Sequence, residues 1–232
     1  MHKPYKILST KHFPKDIIAK YGRENVLVTA IDFIKTKACT GAATADQIKA
    51  LAESEHVVVF TSVNAVTAVA AITPVLNVLP WKIYCIGHAT LSSVTALFGK
   101  QSIAGSADDA HTLATVIAAQ KIATEIIFFC GTSRRNELVE TLTKHNIIVQ
   151  EVYVYQTEIT PACVDEDFDA ILFFSPSAVR SFFKQNKPLK TATLFAIGNT
   201  TAAEIKRHAN NTLITAETPD AKKLLNLAIA YF

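Results

Sequence analysis

Signatures of several common enzyme classes are missing from this 232-residue chain. It has no GxGxxG and no GxxxxGK[ST] motif, which weakens a nucleotide-binding interpretation, and no GxSxG elbow of a hydrolase. Its seven histidines are scattered, without an HExxH motif or a paired spacing, so a metal site is not expected. These absences predict an activity that needs neither a metal nor an organic cofactor.

Charge is also sparse. Only 19% of the residues are charged, the net charge is +3, and no run of basic residues is longer than two, as in Arg134-Arg135 and Lys222-Lys223. A nucleic-acid binder is expected to carry a clustered basic stripe, which this chain lacks. A mildly basic balance instead fits a small anionic ligand, and half of the residues are hydrophobic, enough for two cores.

The four cysteines show no CxxC pairing. Cys85 and Cys130 lie within apolar runs, where a small buried thiol is the ordinary interpretation. The first residues lack the apolar region of a signal peptide. Together these features predict a protein of the reducing cytoplasm.

One apolar stretch, residues 57–81, carries no charged residue and is long enough to span a bilayer. Polar residues and a proline interrupt it, and its first part is β-branched. We interpret it as a buried strand followed by an apolar helix, and we expect no contact with a membrane.

The chain contains an internal duplication. The segment 57–66 returns at 171–179, with Ser62 placed on Ser175 at an offset of 113 residues. Such a period is too long for a solenoid. Two later matches follow in the same order, Gly87 with Gly198 and Asp109 with Asp220, both at an offset of 111 residues. Three matches in one order therefore predict two similar lobes that face a cleft.

Short apolar strands, small or capping residues and helices alternate along the chain. This alternation predicts an α/β fold with parallel sheets and helices on both faces. Caps satisfy free backbone N–H groups at helix starts, and proline is tolerated at the first helical position. The predicted caps are Ser62, Asp109, Ser133, Ser175 and Thr218, the last two followed by Pro176 and Pro219.

The pattern leaves two arrangements of the lobes open. Residues 5–33 and 125–158 each resemble a strand, a helix and a strand, so the lobes either follow one another or one is inserted in the other. Long extended runs at 28–37 and 149–158 favour insertion, because they could pair as a two-stranded bridge. The predicted division is then 1–34 with 157–232 as one lobe and 37–154 as the inserted lobe.

Ligands of open parallel sheets bind beyond the carboxyl ends of the strands, beside helix N-termini. Small side chains and backbone N–H groups at these positions suit a carboxylate or a phosphate. A structural role as cap, turn glycine or solvated charge stays open for each. The candidate substrate-binding residues are Thr61, Ser62, Asn64, Gly87, Gly131, Arg135, Ser175, Ser177, Gly198, Thr200 and Thr201.

Over nearly its full length the chain resembles uroporphyrinogen-III synthases. The order and spacing of short motifs carry this resemblance. One departure is Asn64, where many members have an arginine. The motifs are Val59-Phe60-Thr61-Ser62-Val63-Asn64-Ala65-Val66, Cys130-Gly131, Arg135 with Glu137-Leu138, Val154-Tyr155-Gln156-Thr157, Phe174-Ser175-Pro176-Ser177, Ile197-Gly198, Thr200-Thr201-Ala202 and Ala216-Glu217-Thr218-Pro219.

The resemblance implies two flavodoxin-like lobes joined by a two-stranded β-ladder, with one lobe inserted in the other. It implies that the chain converts hydroxymethylbilane into uroporphyrinogen III, in haem biosynthesis, with loss of water, ring closure and inversion of ring D. No metal or cofactor is implied. A monomer is expected, and hydroxymethylbilane synthase is a possible donor of the substrate.

Tyr155 is the predicted catalytic residue. It ends a β-branched, alternating run at the proposed junction of the lobes, and the family pattern Tyr155-Gln156-Thr157 favours a functional role. Its phenol could assist the departing hydroxyl by a hydrogen bond or by proton donation. A tyrosine that only packs in the ladder is the structural alternative.

Two other functions remain open at this point. A non-catalytic, two-lobed binding protein for a small polyanion would share the fold, because fold does not imply function. Asn64 is the residue that keeps this alternative open. A flavodoxin-like redox protein is weaker, since a single lobe would leave the duplication unexplained.

Overall fold

The computed structural model describes residues 3–21, 23, 25–73, 79–134 and 136–232. The chain divides into two compact units. Unit 1 comprises Met1–Lys35 and Glu158–Phe232, and unit 2 comprises Thr36–Thr157.

Strands and helices alternate as the sequence pattern predicts. The strands are β1 (Tyr5–Ser9), β2 (Val26–Ala30), β3 (Ile34–Ala38), β4 (His56–Phe60), β5 (Trp81–Ile86), β6 (Ile103–Ala107), β7 (Glu125–Gly131), β8 (Ile148–Ile159), β9 (Ala170–Phe173), β10 (Thr193–Ala196) and β11 (Leu213–Thr215). The helices are α1 (Lys15–Tyr21), α2 (Ala42–Ala52), α3 (Val63–Ala70), α4 (His88–Phe98), α5 (Ala110–Gln120), α6 (Glu137–Lys144), α7 (Pro176–Phe183), α8 (Asn199–Lys206) and α9 (Ala221–Tyr231), with a short 3₁₀ turn at Lys100–Ser102.

The sheet of unit 1 has the order β11-β10-β9-β1-β2, and its pairs are parallel. Counted along the chain within this unit, that order is 2-1-3-4-5, the doubly wound order of flavodoxin-like folds. The predicted α/β class with parallel sheets is thus confirmed for this unit.

The sheet of unit 2 has the order β3-β8-β7-β4-β5-β6, with parallel pairs from β8 to β6. If β7 is counted first, β8 second and β4 third, this sheet also has the order 2-1-3-4-5. Unit 2 is therefore a circular permutation of the same fold. The extra strand β3 lies beside β8, and the Cys39 N–H donates to the Val154 carbonyl over 2.9 Å.

Each sheet is buried on both faces, as parallel sheets require. In unit 2, Val58 and Phe60 of β4 face a core formed with α2, α3 and α4, whereas Val57 and Val59 face a core formed with α5 and α6. In unit 1, α7 and α8 cover one face and α9 covers the other. The alternation of strand side chains thus places the helices, and the helix N-termini follow the strand ends.

The predicted bridging strand at 28–37 is wrong in its first part. Strand β2 ends at Ala30 in the sheet of unit 1, and β3 begins at Ile34 beside β8. Phe33 separates them because its side chain is fully buried against Phe182, at 5.4 Å between ring centroids. The run 149–158, in contrast, lies within the 12-residue strand β8.

Three of the five predicted caps are confirmed and two are wrong. Ser62, Asp109 and Ser175 accept backbone N–H groups of their own helices. Helix α6 begins at Glu137, not after Ser133, because Arg134 forms an ion pair with Glu151 on β8 and so stays outside the helix. Helix α9 is capped by Asp220 instead of Thr218: its carboxylate accepts from the Lys222 and Lys223 N–H groups at 2.8 and 3.0 Å.

In the part of the chain that the structure describes, no helix combines the length and the apolar character that crossing a bilayer requires.

Candidate functional site

The candidate residues follow the carboxyl ends of the strands in both units. In unit 2, Thr61 and Ser62 follow β4, and Ser62 caps α3 by accepting the Asn64 N–H at 3.2 Å. The serine hydroxyl still has its own O–H to donate after it has accepted this bond. Both side chains are partly exposed, so structural capping and ligand binding are compatible at Ser62.

Asn64 is exposed on the first turn of α3. Its amide nitrogen lies 3.5 Å from the Thr36 hydroxyl, at the long limit for a hydrogen bond. The side chain is therefore held weakly, and it offers a neutral amide where an arginine would offer a charge.

Gly87 and Gly198 occupy matching positions before α4 and α8, yet their backbones differ. Gly87 has φ +72°, in the left-handed region that favours glycine, although no atom lies within 4 Å of an added Cβ. Gly198 has φ 177°, an extended backbone that any residue adopts, and the space beside it is also open. A turn therefore demands glycine at 87 but not at 198.

Tyr155 lies over Gly131, and a β-bulge brings them together. Cys130 pairs with Tyr153 but Gly131 pairs with Tyr155, so β8 has one extra residue at this point. The bulge turns Tyr155 to the same face as Val154, where its half-buried ring packs against the core. A Cβ added at Gly131 would lie 2.5 Å from the Tyr155 Cζ and 3.0 Å from its hydroxyl oxygen. Only glycine leaves room for the ring.

Strand β8 also fixes the backbone that follows Gly131. The Thr132 N–H donates to the Tyr155 carbonyl over 3.1 Å. The loop after β7 is thereby fixed against the residue that the sequence singles out as catalytic.

An ion pair that the sequence patterns do not reveal joins β8 to the loop after β7. Arg134 donates to both carboxylate oxygens of Glu151 and to Asn136, and only about a fifth of either charged side chain is exposed. The hydrogen bond to Glu151 raises the pKa of Arg134, so the guanidinium stays charged. The Tyr153 hydroxyl also donates to Glu151, which raises the pKa of Tyr153. Arg135, the arginine proposed as a ligand clamp, lies outside the described residues.

The two buried cysteines, Cys85 and Cys130, are not suited to nucleophilic catalysis. Burial raises the pKa of Cys85 to about 11 and, with the nearby Glu151 charge, raises that of Cys130 to about 12. Both thiols stay protonated near neutral pH, and all four cysteines are free. Among the described residues, no group of three or more His, Cys, Asp or Glu side chains could hold a metal ion.

In unit 1, Ser175 follows β9 and caps α7 by accepting the Ala178 N–H at 3.1 Å, with Pro176 at the first helical position. Ser177 is partly exposed, and its hydroxyl accepts from Arg180 at 3.4 Å. These contacts place two serine hydroxyls and one arginine on the first turns of a single helix.

The two threonines that open α8 differ in exposure. Thr200 is exposed, whereas Thr201 is only 1% exposed and its N–H donates to the Gly198 carbonyl over 3.1 Å. Thr200 can therefore meet a ligand with its side chain. The Thr201 side chain packs inside unit 1.

Two cavities within the units lie at the opposite, amino ends of the strands. One in unit 1, of about 310 Å³, is lined by residues 164–168 and 185–189 together with Ile171 and Phe182. One in unit 2, of about 230 Å³, is lined by Glu55, His56, Lys82, Glu125 and their neighbours. Neither contains a candidate residue, so the candidate site does not coincide with these cavities.

Comparison with solved structures supports the fold. The chain is similar to uroporphyrinogen-III synthetase from Helicobacter pylori 26695, with a TM-score of 0.69, 15% identity, and coverage of 98% of this chain and 100% of that one. It is also similar to a mutant uroporphyrinogen III synthase from the extremely thermophilic bacterium Thermus thermophilus, with a TM-score of 0.64, 13% identity, and coverage of 97% of each chain. The wild-type form of that Thermus protein aligns with a TM-score of 0.52 and 14% identity over 97% of each chain.

Comparison of sequences gives the family. No curated protein matches the chain. The family described as uroporphyrinogen-III synthase HemD matches residues 15–226, which is most of both units. The chain therefore belongs to the uroporphyrinogen-III synthase family.

Proposed function

We propose that this chain closes hydroxymethylbilane to uroporphyrinogen III, with loss of water and inversion of ring D, as a cyclising hydro-lyase. The observation that carries the proposal is the family match over residues 15–226. The placement of Tyr155 over Gly131, at the carboxyl end of β7, supports it from the structure.

The chemical task is mainly control of conformation. Loss of hydroxide from ring A leaves a reactive azafulvene, which can close without help to the wrong isomer. Fixing the acid side chains of the substrate selects the carbon of ring D that is attacked, which is a proximity effect. The reaction runs through a spirocyclic intermediate, and we propose that it needs no metal or cofactor.

We assign the contacts with the substrate carboxylates to residues at or just after the carboxyl ends of the strands. Backbone N–H groups at helix starts and the hydroxyls of capping residues suit these anions. The assignment of Thr201 rests on the family pattern, because its side chain is buried and its N–H donates to the Gly198 carbonyl. The proposed substrate-binding residues are Thr61, Ser62, Asn64, Gly87, Gly131, Arg135, Ser175, Ser177, Gly198, Thr200 and Thr201.

Tyr155 is the proposed acid. A half-buried phenol that rests on a glycine has few positions available, so its O–H is pre-oriented without a bulky neighbour. We infer that it donates a hydrogen bond or a proton to the departing hydroxyl of ring A.

We further propose that the inserted arrangement is the functional one, with 1–34 and 157–232 in one lobe and 37–154 in the other. The contact-based division at Lys35 and Thr157 supports these boundaries. The chain would act as a cytoplasmic monomer, with hydroxymethylbilane received from hydroxymethylbilane synthase.

The test is a coupled assay that generates hydroxymethylbilane and separates the type III from the type I product. We expect type III product in excess of the uncatalysed type I product, with the same yield after dialysis against a chelator. Binding of hydroxymethylbilane without type III product would contradict the proposal. Loss of activity on dialysis, with recovery on addition of zinc or magnesium, would contradict the metal-free mechanism alone.

A further inference from the structure

Four charged or titratable side chains meet in unit 1, on α7, on α8 and on the two residues that follow α8. Glu204 is nearly buried, with 8% of its side chain exposed, and its Oε2 lies 3.3 Å from Arg180 and 3.1 Å from Arg207. His208 Nε2 lies 3.4 Å from the other carboxylate oxygen. A buried carboxylate needs such partners because desolvation penalises its charge.

The charges of this cluster do not balance. Two guanidinium groups share one carboxylate, which leaves one positive charge in excess even when His208 is neutral. About half of the Arg180 side chain is exposed, at 48%. Within the described chain, its hydrogen bond to Ser177 uses one of its five N–H donors, and Glu204 faces the guanidinium as an ion-pair partner. Arg180 is therefore oriented by its neighbours but can still donate to an anion.

The cluster lies next to residues already assigned to the substrate. Ser177 is on the first turn of α7 and accepts from the Arg180 Nη2 at 3.4 Å. Glu204 is one turn after Thr200 and Thr201 on α8. The guanidinium thus lies beside the start of α7, the helix that follows β9, and its ion-pair partner is one turn along from the start of α8.

The duplication supplies an internal comparison. At the offsets of 113 and 111 residues, Arg180 falls on Thr67, Glu204 on Ser93 and Arg207 on Ala96. The corresponding helices α3 and α4 pack on their sheet without any of these charges. The fold itself does not require the cluster, so its presence in unit 1 alone points to a ligand.

We propose that Arg180 binds a carboxylate of the substrate beside Ser177, and that Glu204 is a positioning residue that orients the guanidinium. This inference rests on the proposed function, which supplies a substrate with eight carboxylates. A guanidinium matches a carboxylate because its forked donors can form two parallel, charge-assisted hydrogen bonds.

The first test compares Arg180→Gln with the matched control Arg207→Gln. Both remove one charge that pairs with Glu204, but Arg207 is 74% exposed and has no contact with Ser177 among the described residues. We expect Arg180→Gln to raise KM for hydroxymethylbilane about tenfold, with kcat within about twofold, because it removes binding shared by ground and transition states. Arg207→Gln should leave KM within about twofold of the wild type. Equal effects of the two variants, or an unchanged KM in a folded Arg180→Gln, would overturn the proposal.

Folding of the Arg180→Gln variant is expected, because Glu204 keeps Arg207 and His208 as partners. If it does not fold, Arg180→Lys replaces it. Lysine keeps a cation for Glu204 but loses the fork, so we expect KM to rise about threefold. A wild-type KM for Arg180→Lys would then contradict the proposal.

Glu204→Gln tests the positioning role. This change keeps the shape of the side chain and removes the charge that orients Arg180, so we expect KM to rise about threefold, with no added effect in the Arg180→Gln background. A lower Tm without any change in KM would show that Glu204 is only structural. Absence of type III product from the wild type would contradict the proposed function. Normal turnover with unchanged KM in these variants would contradict only the role of Arg180.

Discussion

The two units have the same strand order, 2-1-3-4-5, and similar helix starts, but they differ in which part of the fold carries polar side chains. Unit 1 has a cluster of charged side chains around Glu204, formed by α7 and the last part of α8 with the residues after it. In unit 2 the equivalent helices α3 and α4 have no Asp, Glu, Lys or Arg, and a charged cluster lies instead on β8 and in the loop after β7, around Glu151. Features common to both units serve the fold, so those found in one unit alone are the best candidates for function.

The shared features are mostly helix caps. Ser62 and Ser175 cap equivalent helices, as do Asp109 and Asp220. Tyr155, in contrast, has no aromatic counterpart in β2, the strand of unit 1 that corresponds to β8. The comparison thus favours stability as the first role of the caps and supports the proposed chemical role of Tyr155.

The largest expected effect is that of Tyr155→Phe. Removal of a phenolic donor that acts in the transition state should lower the rate of type III formation about 10²-fold. Phenylalanine keeps the ring over Gly131, so the free energy of unfolding should change by less than about 0.5 kcal/mol. The control is Tyr153→Phe, which removes a hydroxyl from the same strand and should leave the rate nearly unchanged. A wild-type rate in Tyr155→Phe would show that Tyr155 is not the acid, and a large loss of stability would make it a structural residue.

Gly131→Ala should have the next largest effect. The new Cβ would lie 2.5 Å from the Tyr155 ring, so the ring must move, at a cost of about 1–3 kcal/mol in unfolding free energy. Displacement of the phenol should also slow type III formation by at least about tenfold.

Gly198→Ala is the matched change in unit 1. With φ 177° and open space beside the residue, it should alter the unfolding free energy by less than about 0.5 kcal/mol. Chemical denaturation of both variants checks this pair. Equal stability of the two would mean that the contact between Gly131 and Tyr155 is not tight in solution.

Loss of a cap should be smaller, and similar in the two units. Asp109→Ala and Asp220→Ala should each lower the unfolding free energy by about 1 kcal/mol, because each leaves N–H groups at a helix start without a partner. Denaturant titration at neutral pH measures both effects. A clear difference between the variants would contradict the equivalence of the two caps that the duplication implies.

The cap at Asp109 should also depend on pH. Hydrogen bonds from Thr112 lower the pKa of Asp109 in the folded state below its value in the unfolded chain. Its stabilisation is therefore complete above the unfolded pKa and is lost as the pH falls through the folded pKa. Asp109→Asn keeps a capping oxygen without the charge, so its difference from the wild type should be present at pH 7 and shrink as the pH falls through the folded pKa. A difference that persists in acid would show that charge plays no part in the cap.

The smallest expected effect is that of Ser181→Ala. The Ser181 hydroxyl is fully buried and has no hydrogen-bond partner among the described residues, and the equivalent residue of unit 2 is the buried Ala68. Alanine removes an unsatisfied polar group at little cost in packing, so stability should stay the same or rise by up to about 1 kcal/mol. Ser62→Ala, which removes a serine that is used as a cap, is the contrasting control and should destabilise. A loss of more than about 1 kcal/mol in Ser181→Ala would reveal a partner for that hydroxyl.

Local signals were enough to predict much of the fold. A cap acts on N–H groups two or three residues away, so Ser62, Asp109 and Ser175 were predictable from their neighbours. The alternation of apolar strands and helices likewise predicted parallel sheets. The predictions at Ser133 and Thr218 failed because a distant ion pair and a nearby stronger acceptor determine where those helices begin.

The candidate site could be predicted only as a set of positions. The family motifs marked Tyr155 and Gly131 separately, but nothing in the sequence places one upon the other. That contact depends on a bulge in the pairing of β7 with β8, and the pairing joins residues 24 positions apart. The ion pair of Arg134 with Glu151, across 17 positions, was equally invisible.

The sequence by itself thus determined which segments form strands and helices, that there are two similar units, and which family the chain resembles, because periodicity, capping and motifs are properties of short stretches. Only the tertiary structure decided that unit 2 is a circular permutation of unit 1, that glycine is demanded at 87 and 131 but not at 198, and that Arg180 shares Glu204 with Arg207. Each of these depends on strand register, backbone angles or helix packing, which are set by contacts between residues far apart in the chain.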